Sequence, residues 1–270
     1  MSKNSEESGE PMKESRKVLD LAVKAGEILL QNGAEIFRVQ ETMTRIAAAY
    51  SYGSESFHAY VLSNAIFASL REEDGAYNAD LRNIPLSPVH LGRVDAVNSL
   101  SRAIAEGRYS PDEALAQIER IRSLPENSPL LLTFSSGIVS ATFCYLFGGG
   151  LLDSLAAFFT GLILYFFLIP AKRWKLSKIV SNILGSVVIT LCALCFTGLG
   201  FGGQADKIII GAIMPMAPGV PLTTSIRDFF NGDYLSGAIR MLDAILIAAC
   251  IAIGVGFVLK TGNLLLGVQL

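Results

Sequence analysis

A chain of 270 residues, 51% of them hydrophobic, with a mean hydropathy of +0.46, is too apolar for an ordinary soluble domain. The net charge of -2 and the lack of a basic stripe exclude a nucleic-acid partner. Four cysteines in so apolar a chain make no disulfide framework. The two histidines, His58 and His90, have no acidic or cysteine cluster at metal spacing, so neither a metal nor another cofactor is expected.

The charges are unevenly placed. Through Asn127 the chain carries 14 of its 22 Lys+Arg and 19 of its 24 Asp+Glu, which leaves only 8 and 5 for the rest. This predicts a short disordered tail over residues 1–12, a cytoplasmic α+β domain over 13–127 and a transmembrane domain over 128–270. The opening "MSKNSEESGEPMKESRK" has neither an apolar core nor a small-residue cleavage site, so it does not read as a secretory signal.

In chain order, "KESRKVLDLAVKAGEILLQN" places Val18, Leu21, Ala22, Ala25, Ile28 and Leu29 on one helical face, and Asn32-Gly33 is a natural stop. "AEIFRVQETMTRIAAAY" predicts a second helix through Ile36, Val39, Met43 and Ile46, with Glu41 and Arg45 as a favourable pair. "SFHAYVLSNAIFASLRE" and "EEDGAYNADLRNIPL" turn β-branched and aromatic and predict two or three strands. Two helices follow, in "LGRVDAVNSLSRAIAEG" and, after the start signal Ser110-Pro111-Asp112-Glu113, in "PDEALAQIERIRSL".

Five spans are then expected: Leu130 to Phe147, Leu151 to Pro170, Ile179 to Gly200, a proline-broken Ile208 to about Leu222, and about Leu235 to Leu259. A hydrocarbon core of about 30 Å takes about 20 helical residues, so the first is on the short side. Lys172, Arg173, Lys175 and Lys178 crowd the loop between spans two and three, which puts that loop, and with it the N-terminal domain, in the cytoplasm. Small residues at four-residue spacing (Ser136 and Ser140; Ala248, Ala252 and Gly256) allow close helix packing, within the chain or against another subunit. Five helices enclose a solute path thinly, so a second subunit or a homo-oligomer is expected.

The segment "MPMAPGVPLTTSIRDFFNGDYLSGAIRML" carries the chemistry. Pro215, Pro218 and Pro221, with Gly219 among them, interrupt a helix, and backbone freed in a bilayer must face protein or a water-filled cavity. Thr223 and Thr224 are placed to cap a following short helix that Asn231-Gly232 closes, and Asp233 to start span five. Arg227, Asp228 and Arg240 follow closely, with Asp243 three residues beyond Arg240 and able to pair with it. An ion near the bilayer centre costs roughly 2.5–3.5 kcal/mol, which argues for a use. The plainer reading makes these residues interfacial anchors and caps. The combination of broken helix and charge favours a solute path lined by Pro218, Gly219, Pro221, Thr223, Thr224, Arg227, Asp228, Asp233 and Arg240.

The stretch "GAIMPMAPGVPLTTSIRDFFNGDYLSGAIRMLDAILIAACIAIGV" resembles the signature segment of the threonine/serine exporter (ThrE) family. "LLQNGAEIFRVQETMTRIAAAY" resembles its N-terminal motif at Gly33, Ala34, Glu35, Arg38, Val39, Glu41 and Thr42, and "GRYSPDEALAQIERI" the segment before its first span. The resemblance covers about residues 13 to 260. It implies an inner-membrane exporter with a cytoplasmic N-terminal domain. Long members carry a second five-span half; this chain resembles the half-length branch, whose members work with a separate small membrane subunit. Amino acids such as threonine and serine, or dicarboxylates such as succinate, are the implied solutes.

Three function classes remain open on the residues. An exporter would use Arg227 and Arg240 for a carboxylate, with Asp228 and Asp233 for an ammonium group or a coupling proton. An intramembrane aspartyl protease would pair Asp228 with Asp233, but Arg227 favours both carboxylates staying ionised and no Gly-x-Gly-Asp pattern occurs. A membrane-anchored signalling or scaffold module would work through its soluble domain. No catalytic residue is assigned; Glu35, Arg38 and Glu41 read as a surface ion network or a docking face. Cys192 and Cys195 match a redox spacing but lie mid-span, where packing is expected. No P-loop occurs, so coupling to the proton gradient is expected instead of ATP.

Overall fold

The computed structural model describes residues 13–72, 74–84, 89–126, 128–174 and 176–266. The expected tail and Lys175 of the basic loop lie outside the described residues, as do the side chains of Lys172 and Arg173. The chain is mostly helical with one small sheet. It divides into two compact units, one through Glu126 together with Thr224–Ile239, the other Asn127–Thr223 with Arg240–Leu270.

The first unit is built on α1 (Glu14–Gln31), eleven of whose eighteen residues are buried. A helix apolar on so many sides belongs in the middle. α1 packs against α2 (Ile36–Ala49), α3 (Leu91–Ala105), α4 (Pro111–Arg122) and two strands of the sheet. Gly26 permits the tightest of these approaches. A Cβ there would lie 2.5 Å from the Met43 sulfur of α2 and 3.1 Å from Ile66 of the sheet.

The sheet is an antiparallel meander of β1 (Phe57–Leu62), β2 (Ala65–Arg71) and β3 (Tyr77–Asn83). Alternation sends Phe57, Val61, Ile66, Ala68 and Leu70 into the core, while Tyr60 and Phe67, opposite each other in register, face outward. The start of α4 is a full capping box: the Ser110 hydroxyl accepts the Glu113 amide, and the Glu113 carboxylate accepts the Ser110 amide at 2.9 Å.

The second unit contains α5 (Pro129–Leu146), α6 (Leu151–Arg173), α7 (Lys178–Gly198), α8 (Ala205–Ile213) and a 3-10 turn (Met214–Met216). α9 (Gly219–Phe230) and α10 (Tyr234–Leu266) each cross the division between the units. Among the described residues, four helices (α5, α6, α7 and α10) are long and apolar enough to cross a membrane, or five spans in all if the bent pair of α8 and α9 counts as one.

Several boundaries differ from expectation, and the bent pair of α8 and α9 covers Ala205–Phe230 where Ile208 to about Leu222 was expected. α6 runs through Pro170 to Arg173, and α10 continues past Leu259 to Leu266 because no proline stops it. Within the second unit the expected role of Ser136 and Ser140 holds. The Ser136 hydroxyl donates to the Gly161 carbonyl at 3.0 Å, and a Cβ on Gly211 would sit 2.6 Å from the Ser140 carbonyl. α5 thereby comes close to both α6 and α8. Ala248, Ala252 and Gly256 behave differently: they form an exposed face of α10, whose buried face is Ala244, Ile247, Cys250, Ile251 and Val258.

Candidate functional site

The proline-rich segment is a bend between two helices. Met214–Met216 closes the first as a 3-10 turn with Pro215 at its start, and α9 resumes at Gly219, bent 60° from α8. Proline disfavours the helical region for the residue before it, and Ala217 sits at φ -59, ψ 135, outside that region. Pro218 therefore sets the break.

Pro221 does not contribute another. It occupies the first turn of α9, where its missing N–H has no intrahelical partner to lose. The expectation that three prolines preclude a regular helix here is corrected in this respect, and so is the capping role of Thr223 and Thr224. Both lie inside α9, and the Thr223 hydroxyl donates back to the Gly219 and Val220 carbonyls at 3.0 and 3.1 Å.

α9 ends as the sequence indicates. Gly232 has φ +85, its amide donates to the Phe229 carbonyl at 3.1 Å, and the Asp233 amide donates to the Asp228 carbonyl at 2.9 Å. This is a Schellman closure. α1 closes in the same way at Asn32-Gly33, where Gly33 has φ +87 and the Ala34 amide reaches the Leu29 carbonyl at 3.0 Å. Two Asn-Gly stops thus fix the end of α9, which carries Arg227 and Asp228, and the end of α1, just ahead of Glu35 at the start of α2.

On α9, Ser225 and Asp228 are fully buried, one helical turn apart, while Arg227 points outward. Arg227 does not stand alone: its Nη1 donates to Glu35 Oε1, so the two motifs singled out separately in the sequence meet through one ion pair. Each charge stands where its own helix favours it. Arg227 is in the last turn of α9, near the negative end of that helix dipole, and Glu35 is the N-cap residue of α2, near the positive end. Glu35 makes no capping hydrogen bond; its carboxylate is turned to Arg227 instead. Its other oxygen, Oε2, is buried with no hydrogen-bond partner among the described residues.

The rest of the N-terminal motif does not join this pair. Glu41 takes Arg45 at 2.6 Å, Arg38 is exposed, and among the described residues no ion pair links Glu35, Arg38 and Glu41 to one another. Asp233 is half-buried in the turn before α10, and Arg240 is buried within α10 at 9% exposure. Asp243, expected as a partner for Arg240, accepts Lys178 Nζ at 2.6 Å. His90 caps α3, accepting the Arg93 amide at 3.2 Å. Cys192 and Cys195 are free thiols of α7, and among the described residues no cluster of metal-ligating side chains occurs.

Sequence reasoning missed one acidic residue of the second unit. Asp153, in the first turn of α6, is only 5% exposed and accepts three backbone amides, from Gly150 at 2.8 Å, Gly203 at 2.7 Å and Gln204 at 3.0 Å. Its signal was an acid beside a Gly-rich loop facing a second Gly-rich loop, "GGG" and "GFGG". Neither loop alone indicates the other.

The profile of the family described as "Putative threonine/serine exporter" matches residues 20–262. A "Threonine/serine exporter" of Corynebacterium glutamicum is 25% identical over 92% of this chain and 52% of its own length. A "Probable succinate transporter subunit YjjP" of Klebsiella aerogenes is 26% identical over 90% of this chain and 93% of its own length. A "Probable threonine/serine exporter" of Mycobacterium tuberculosis is 23% identical over 89% of this chain. The chain thus spans about half the length of the exporter relatives, at 52% and 45%, and nearly all of the succinate-transporter relative, at 93%. No solved structure matches it.

Proposed function

The chain belongs to the threonine/serine exporter family, a family of membrane transporters and not of enzymes, and on that premise we propose that it is a subunit exporting small carboxylate-bearing metabolites. The solutes are threonine/serine-type amino acids or dicarboxylates such as succinate, the two classes in the names of its relatives. The observation that carries this reading is the bend at Ala217-Pro218, followed within α9 by the adjacent Arg227 and buried Asp228. A bent helix pair frees backbone groups that must face protein or water, and charge on the helix that leaves such a break suits solute binding.

The proposed lining is Pro218, Gly219, Pro221, Thr223, Thr224, Arg227, Asp228, Asp233 and Arg240. Arg227 and Arg240 attract the carboxylate; Asp228 and Asp233 receive an ammonium group or carry the coupling proton. The basic loop between α6 and α7 supports an inner (plasma) membrane orientation with the N-terminal unit in the cytoplasm. The exposed small-residue face of Ala248, Ala252 and Gly256 supports a helix–helix contact with a second small membrane subunit or another copy of the chain.

Efflux from solute-loaded cells lacking the protein tests the proposal, with wild type or Asp228→Asn restored, with and without a candidate second subunit. Loss of efflux in the variant is expected. Normal export of both amino acids and dicarboxylates by Asp228→Asn overturns the site.

A further inference from the structure

A guanidinium edge engaged by one carboxylate is closed to a second, and in this structure the Nη1 edge of Arg227 already holds one. Glu35 and Arg227 are 192 residues apart in sequence; Glu35 directly follows the Asn-Gly stop of α1 and Arg227 directly precedes that of α9, so the pair joins two fixed points of the chain. The Arg227 side chain remains 59% exposed while that of Glu35 is 14% exposed, so the cation is open to solution and the anion is backed by protein. The pair is also incomplete, because Glu35 Oε2 is buried without a partner among the described residues. A carboxylate held by one oxygen, with the other desolvated and unsatisfied, is a weaker ligand for arginine than a two-oxygen fork.

We propose, building on the carboxylate role of Arg227 given above, that Glu35 is a resident carboxylate that occupies Arg227 at rest and yields it to the carboxylate of the solute. Glu35 then gates Arg227 by mimicry. It presents to Arg227 the same chemical group that the solute brings, so solute entry and release of α9 from α2 become one exchange. No covalent step is involved. The solute's apparent affinity is set by its own bond to Arg227 less the strength of the resident pair.

The pair is half-exposed, so its removal should change affinity by a modest factor. The test is titration calorimetry of the full-length protein in lipid nanodiscs with succinate and with threonine, beside efflux at subsaturating solute. E35Q is expected to tighten binding of the better ligand by about two- to fivefold and to raise subsaturating efflux, with its melting temperature within a few degrees of wild type. R227Q is expected to lose binding. The charge swap E35R/R227E rebuilds an ion pair; it is expected to melt like wild type yet bind neither solute, because the arginine now sits on the wrong element.

Unchanged or weaker binding by folded E35Q overturns the resident-carboxylate role while leaving the exporter reading standing, provided that R227Q has lost binding. Restoration of binding by the swap makes the pair a purely structural tie and also overturns it. If R227Q binds and exports like wild type, the carboxylate role of Arg227 fails, and this proposal fails with it.

Discussion

Asp153 and Gly203 lie fifty residues apart, and the Asp153 carboxylate accepts the Gly203 amide at 2.7 Å. The same oxygen takes the Gln204 amide at 3.0 Å, and the other takes the Gly150 amide at 2.8 Å, so one side chain joins the loop before α6 to the loop before α8. Gly202, at φ +110, is held so near that a Cβ would lie 2.9 Å from the carboxylate. The carboxylate thereby satisfies three backbone donors of two loops at once.

Asp153→Ala strands those donors and is expected to destabilise the protein by about 1–3 kcal/mol. Asp153→Asn turns one acceptor into a donor facing an amide and should cost less than the alanine variant. Thermal unfolding of detergent-solubilised protein checks the order wild type, Asn, Ala. Equal midpoints for all three would refute it.

The two prolines flanking Gly219 are predicted to behave differently. Pro218 excludes Ala217 from the helical region and so sets the 60° bend. Pro218→Ala removes that exclusion, lets α8 and α9 approach one continuous helix, and is expected to reduce efflux severely. Pro221 lies in the first turn of α9, where alanine fits equally well. Pro221→Ala is expected to reduce efflux far less than Pro218→Ala, because the bend stays, and to lower stability by less than about 1 kcal/mol, chiefly through unfolded-chain entropy. Efflux assays on the two variants side by side decide the matter, and equal defects would show that the bend does not depend on Pro218.

Much of this architecture was legible because it rests on local rules. The α1 face, the Asn-Gly stops, the Ser110 capping box and the apolar runs of the spans all follow from spacing within one element. What was not legible depends on distant partners. Glu35 meeting Arg227, Asp243 meeting Lys178 and Asp153 meeting Gly203 join residues 192, 65 and 50 positions apart, and no periodicity relates them. The reading of Thr223 and Thr224 as caps failed for a local reason. Three prolines suggested one long interruption, whereas Pro221 satisfies the start of a helix, so α9 begins four residues before Thr223.

Glycines separate packing within the chain from packing against a partner. A Cβ on Gly254 of α10 would sit 2.6 Å from the Ile183 carbonyl of α7, a backbone group that cannot give way. Gly254→Val is expected to cost about 1–3 kcal/mol through overpacking and to lower the yield of folded protein. Gly256, two residues on, has nothing within 4 Å of its Cβ position. Gly256→Leu should leave the melting temperature of the chain alone and still weaken association with the proposed second subunit, or self-association, measured by size-exclusion chromatography with light scattering. A lowered melting temperature in Gly256→Leu would show that this face is packed within the chain.

Acid should weaken the N-terminal unit through Glu72. Its carboxylate accepts Lys13 Nζ at 2.9 Å, the Ser15 hydroxyl at 2.8 Å and Asn78 Nδ2 at 2.5 Å, tying the start of α1 to the turn between β2 and β3. These bonds, that from Lys13 foremost, hold the carboxyl below its ordinary pKa of 4.5. A group depressed in the folded state contributes fully above its unfolded value, and the contribution disappears as pH falls through the folded one. The stabilisation is therefore complete at neutral pH and is lost progressively below pH 4.5. Lys13, raised above its ordinary 10.5 by the same bond, adds an opposite limit, present below that pH and lost above it. Glu72→Gln is expected to melt below wild type at pH 7, with the gap closing as the pH is taken from 5 to 3. A gap that stays constant across that range would mean that shape at Glu72, and not its charge, holds the turn.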